Sequence, residues 1–156
     1  MQDGGPTMET QRIEDTATGS SWPPGAAVAP RPRALVAEDD PEMRLLVAAE
    51  LRRQGYDVVQ ASDGVELLTA IESTVWASDR EPFDVVVSDI NMPGLTGLDV
   101  LAALPTTLWQ TPVILITAYG DEAIHAEALE LGAFATIDKP FALNDLRAVL
   151  TTLPRR

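Results

Sequence analysis

The chain contains no cysteine and only one histidine in 156 residues. A disulfide framework and a thiolate metal site are therefore both excluded. The single His125 lies among Glu and Ala in a helical stretch. It gives no basis for a histidine kinase or phosphotransfer protein, and the expected place for it is a solvent-facing surface. Positive charge is scarce, with 11 Lys and Arg against 24 Asp and Glu, a formal net charge of −13. In the first 33 residues Asp3, Glu9, Glu14 and Asp15 stand against Arg12, Arg31 and Arg33, which leaves about −12 for the rest. Such a surface repels phosphate backbones and anionic headgroups, so direct nucleic-acid or membrane binding is not expected. No stretch approaches the ~18 apolar residues of a membrane span. The longest apolar stretch near the start, Ala26 to Ala29, is too short for a signal peptide. A cytoplasmic location is the expectation.

What is present divides the chain in two. Residues 1–32 carry Gly4, Gly5, Gly19, Gly25, Pro6, Pro23, Pro24, Pro30 and Pro32 among small polar residues. That composition buries too little apolar surface to offset its ordering entropy, and a flexible tail is expected. Residues 33–154 alternate short apolar runs with helical patterns. Ala34 to Ala37, Val85 to Val87 and Val113 to Ile116 have no polar face, as strands buried on both sides read. Tyr56 to Gln60 and Ala135 to Ile137 read as two more strands, with Phe83 to Ser88 framing the central one. Helices are expected from Pro41, with Asp40 as N-cap and Gly55 as stop, and from Ser62-Asp63-Gly64. Others are expected over Leu98 to Leu104 and Asp121 to Leu131, with a last one ending before Pro154. In the first helix Met43, Leu46, Val47 and Leu51 are the expected core face. Five strands alternating with five helices predict an α/β fold, a doubly wound parallel sheet covered on both faces. Ligands in such folds bind beyond the carboxyl ends of the strands.

The polar residues cluster by that rule. Glu38 and Asp39 end the first strand, Asp89 the third, Thr117 the fourth and Lys139 the fifth. On its own, Glu38-Asp39-Asp40 reads as a solvated helix start. Four strand ends that together supply three carboxylates, a hydroxyl and an ammonium read as a phosphoryl-transfer site. Clustered carboxylates repel unless a cation joins them, and hard oxygen donors suit Mg²⁺. A carboxylate can act as the nucleophile and form an aspartyl phosphate. Lys139 then offers a point charge and Thr117 a short donor to the phosphoryl oxygens.

Four motifs carry a family resemblance. Asp89-Ile90-Asn91-Met92-Pro93 followed by Gly97 resembles the D-x-x-M-P-x-x-x-G pattern of bacterial response-regulator receiver domains. Glu38-Asp39-Asp40-Pro41 with Arg44, Thr117-Ala118, and Lys139-Pro140-Phe141 resemble that family's acidic turn, T-A and K-P-F motifs. The resemblance runs from about Arg33 to Leu153. It implies a flavodoxin-like five-stranded sheet of order 2-1-3-4-5 and a cis Lys139-Pro140 bond. It also implies a phospho-acceptor signalling domain of a two-component system, not a conventional enzyme, though one that supports its own phosphoryl transfer and dephosphorylation. By the same resemblance Asp89 is the phospho-acceptor, assisted by Thr117 and Lys139. Asp39 is a direct Mg²⁺ ligand, Glu38 reaches the metal through water, and Asn91 gives a backbone carbonyl. The implied partners are a sensor histidine kinase or phosphotransfer protein and a downstream protein target. Thr136 occupies the position of a switch Tyr or Phe, which implies weak coupling to the output face or a readout through Thr117 and Tyr119.

A haloacid-dehalogenase-type phosphatase is disfavoured, since its D-x-D-x-T motif belongs on the first strand. A receiver that no longer accepts phosphate is disfavoured by the complete Asp, Thr and Lys set. The last helix ends near Arg156, and both a stand-alone receiver and a piece of a larger regulator are consistent with that.

Overall fold

The computed structural model describes residues 30–77, 81–105, 109–118 and 120–154. Most of the expected tail and the switch candidate Tyr119 lie outside the described residues. The elements alternate: β1 (Arg33–Ala37), α1 (Pro41–Arg53), β2 (Asp57–Ala61), α2 (Gly64–Val75), β3 (Val85–Asp89), α3 (Gly97–Ala103), β4 (Val113–Thr117), α4 (Glu122–Glu130), β5 (Ala135–Asp138) and α5 (Leu143–Leu150). The strands form one sheet in the order β2-β1-β3-β4-β5, and every pair is parallel. No helix among the described residues is long and apolar enough to cross a membrane.

The continuous apolar strands acquire two faces through the two-residue period of a β-strand. Leu35, Val86 and Leu115 point to a core with Leu67, Ile71 and Phe83. Their neighbours Val36, Val85, Val87, Ile114 and Ile116 point to a second core with Val47, Leu51 and Leu146. Each such side chain fully removed from water contributes about 1.5–3 kcal/mol. Helix starts follow the expected chemistry. Asp40 Oδ1 accepts from the Glu42 N–H at 3.0 Å, Asp63 Oδ1 from Glu66 at 2.8 Å and Asp121 Oδ1 from Ile124 at 2.9 Å. Thr96 and Asp99 close a reciprocal capping box at the start of α3. Gly55 and Gly132, with φ near +99° and +98°, take the left-handed conformation just past α1 and α4.

One core expectation fails. Leu46 is 53% exposed, and Ala48 and Glu50 are buried instead alongside Val47 and Leu51. The buried stripe of α1 is turned toward α5, where Arg147 Nε meets Glu50 Oε1 at 2.9 Å. Gln54 Nε2 and Arg53 Nη1 complete the shell at 3.0 and 3.1 Å. A fully buried carboxylate is tolerated only with such partners. The Arg147 hydrogen bond, followed by that of Gln54, holds the Glu50 carboxyl below the usual 4.5 despite its burial.

Two tests follow from this packing. The unfolded chain binds the Glu50 proton more readily than the folded one, so this contribution to stability is complete above about pH 4.5 and lost as pH falls through the lower folded value. Urea midpoints measured from pH 6 to pH 3 should therefore fall more steeply for wild type than for Glu50→Gln. At Gly64 an added Cβ would strike the Leu95 carbonyl oxygen and lie 2.7 Å from Leu95 Cβ. Gly64→Ala should cost about 1–3 kcal/mol by overpacking, read as a lower urea midpoint at unchanged slope.

Candidate functional site

Parallel pairing brings Glu38, Asp39, Asp89, Asn91, Thr117 and Lys139 to one edge of the sheet. β3 carries Asp89 as its last residue, between β1, which leads into Glu38 and Asp39, and β4, which ends in Thr117. Thr117 pairs in register with Asp138, so Lys139 emerges beside it, and the Lys139 N–H donates to the Thr117 carbonyl at 2.7 Å. The Lys139-Pro140 bond is cis. Glu38, Asp89 and Thr117 are buried, whereas Asp39 and Asn91 are exposed. Carboxylate oxygens of Glu38, Asp39 and Asp89 all lie within 4.8 Å of one another.

Lys139 Nζ bridges this cluster, donating to Asp89 Oδ2 at 2.8 Å and to Glu38 Oε1 at 2.9 Å. The other Asp89 oxygen, Oδ1, accepts from the Asn91 N–H at 3.0 Å, and Glu38 Oε2 accepts from the Asp40 N–H at 3.1 Å. Charge at the site is unbalanced, with one ammonium bonded to two of three clustered carboxylates. Burial pushes the Glu38 carboxyl up to about 7. The bonds from Lys139 and the Asp40 N–H oppose that rise, and the charge of Asp89 adds to it. For Lys139, burial pulls the ammonium down, but its bonds to Asp89 and Glu38 outweigh this and leave it above 10.5. The proton therefore stays on Lys139.

The backbone is shaped to the same end. A Cβ on Gly97 would lie 2.6 Å from the Asp89 carbonyl oxygen, so only glycine lets α3 start this close behind Asp89. Met92 is buried and anchors the loop between them. Asp40 caps α1 and stands outside the acidic cluster. Arg44 Nη1 donates to the Glu38 carbonyl at 2.8 Å and so braces the acidic turn from α1, a bond its place in the sequence had not specified. Thr136 is half-buried on β5, in register with Leu115. His125 stands at the surface with 34% of its side chain exposed, but it has a partner that was not expected: its Nε2 lies 2.9 Å from Asp138 Oδ1. The parallel sheet brings α4 against the end of β5, and sequence periodicity carries no signal for that encounter.

Known proteins resemble this chain in sequence and fold. The chain is 39% identical over 127 residues to the transcriptional activator protein PfeR of Pseudomonas aeruginosa, a match covering 81% of this chain and 39% of PfeR. It thus spans less than half the length of that relative. The chemotaxis protein CheY4 of Vibrio cholerae superposes with a TM-score of 0.70 at 28% identity, covering 80% of this chain and all of CheY4. A Burkholderia pseudomallei response regulator, solved with a phosphorylated aspartic acid and a calcium ion, gives 0.65 at 26% identity over 78% of this chain and 67% of its own. The family model of the response regulator receiver domain matches residues 34–151, and the chain belongs to that family.

Proposed function

We propose that Asp89 accepts a phosphoryl group from a histidine kinase or phosphotransfer protein, and that the phosphorylated domain signals by contact with a downstream protein. The observation that carries this reading is the Asp89 carboxylate itself. It is buried at a strand end, held through one oxygen by the Asn91 N–H and through the other by Lys139, with Glu38 and Asp39 alongside. The phosphorylated aspartic acid of the Burkholderia relative supports it.

Asp89 oxygen would attack phosphorus as the bond from phosphorus to the donor imidazole nitrogen breaks. That nitrogen keeps the electron pair and takes up a proton. Lys139 is placed to pair with a phosphoryl oxygen, and the Thr117 hydroxyl can donate to another. The residues also fit Mg²⁺. Three hard oxygen donors stand around a single ammonium, and burial raises Glu38 to about 7 with the charge of Asp89 adding to the rise. Asp39, Asp89 and the Asn91 carbonyl would hold the ion, with Glu38 acting through water. When bound, Mg²⁺ supplies positive charge against the phosphoryl oxygens. The same groups support later attack by water, so the domain would also govern its own dephosphorylation. The strongly negative surface supports contact with proteins in preference to nucleic acid for this domain.

Acetyl phosphate with Mg²⁺ should label the protein once per chain, and Asp89→Asn should abolish the label, as read by intact mass and borohydride trapping. Label at the wild-type level in Asp89→Asn would remove the assignment. In Mg²⁺ titrations Glu38→Gln should weaken affinity roughly tenfold, in the range of outer-sphere partners, and Asp39→Ala should weaken it more. The reverse order would exchange the roles of the two acids.

A further inference from the structure

The hydrogen bond between His125 and Asp138 is a further polar contact at this edge of the sheet, and the phosphoryl-transfer reading does not use it. Asp138 lies between buried Ile137 and Lys139, and its backbone is paired in register with Thr117. A carboxylate only accepts, so the Nε2–H of His125 donates to Asp138 Oδ1 at 2.9 Å. The partners come from different elements, α4 and β5, 13 residues apart. Gly120, ahead of α4, lies directly over them. A Cβ on Gly120 would strike Asp138 Oδ1 and lie 2.7 Å from both His125 Nε2 and the Thr117 methyl. The pair thus joins α4, Gly120 beside Thr117 and the strand end that carries Lys139.

We propose that His125 and Asp138 form a positioning latch for the phosphoryl-transfer site, setting where the Thr117 hydroxyl and the Lys139 ammonium stand relative to Asp89. Neither residue touches the reacting atoms. Their action passes through the β5 end, where the Lys139 N–H is bound to the Thr117 carbonyl at 2.7 Å. A half-exposed hydrogen bond adds little to global stability. Its consequence is local, because transfer depends on placing charges to within a fraction of an ångström, and 1 Å of misplacement can cost ~10²-fold in rate. The latch also makes α4 sensitive to the state of the site through a polar link, in a chain whose β5 carries Thr136 in place of a movable ring. The inference rests on Asp89 as acceptor.

The test uses the full chain and acetyl phosphate. The Asp89–oxygen bond to phosphorus forms as the bond from phosphorus to the acetate oxygen breaks, and acetate leaves with the electron pair. His125→Ala, Asp138→Ala and Gly120→Ala should each slow labelling about tenfold. The double variant His125→Ala/Asp138→Ala should be no slower than either single change, since both remove one interaction. His125→Gln, whose amide can still donate to Asp138, should return to within about twofold of wild type. Mg²⁺ affinity should stay unchanged. Thr111→Val, which removes a buried hydrogen bond to the Phe83 carbonyl before β4, is the control for stability alone and should label normally. Unchanged rates in the latch variants, single effects that multiply to about a hundredfold, or equal slowing in Thr111→Val would overturn the latch. If wild type itself does not label, the acceptor reading falls separately. The amide shifts of Thr117 and Lys139 then decide the latch, which is overturned if His125→Ala leaves them in place.

Discussion

The ammonium of Lys139, shared between Asp89 and Glu38, is the contact on which this edge of the molecule depends. Two buried carboxylates with a third beside them would repel one another in a medium that screens poorly, and burial alone would drive one of them to take up a proton. A single cation from the far end of the chain makes the arrangement tolerable. It leaves the site short of positive charge, a shortage that a divalent cation would relieve under the proposed function.

The fold around that contact exists to bring it about. Parallel strands put all their carboxyl ends on one side, so residues about 50 and 100 positions apart become neighbours without any loop needing to be long. The strands are apolar on both faces, and the two cores hold them at fixed height. Gly97 lets α3 begin immediately behind Asp89, and Arg44 fixes the acidic turn from the α1 side. Away from the site the same logic recurs where Glu50 is buried between α1 and α5 and surrounded by Arg147, Gln54 and Arg53. That shell ties the two helices on one face of the sheet together by polar contact as well as by Val47, Leu51 and Leu146.

His125 shows how a reading from composition can miss a local event. In the sequence it is a polar residue on a short helix rich in glutamate, with no periodic signal to distinguish it. Its meaning comes from the strand that α4 happens to lie against. Leu46 is the opposite case, an apolar residue at a plausible helical spacing that the rotation of α1 leaves in solvent. Both outcomes are set by how a helix is turned about its axis, and helical period by itself fixes spacing along one face without saying which neighbour that face will meet.

The order of elements, the N-cap at Asp40, the glycine stop at Gly55 and the strand-end position of each acidic residue were legible in the sequence, because each depends on near neighbours in the chain. The resemblance of four spaced motifs pointed to the family for the same reason: short motifs preserve local geometry. The tertiary structure alone decided that Lys139 serves two carboxylates at once, one of them 101 residues away. It alone decided that Glu50 is buried against Arg147, 97 residues on. The pairing of His125 with Asp138 across two elements belongs with these. Such contacts join side chains whose separation is fixed by packing of the whole sheet, and no local pattern encodes that distance.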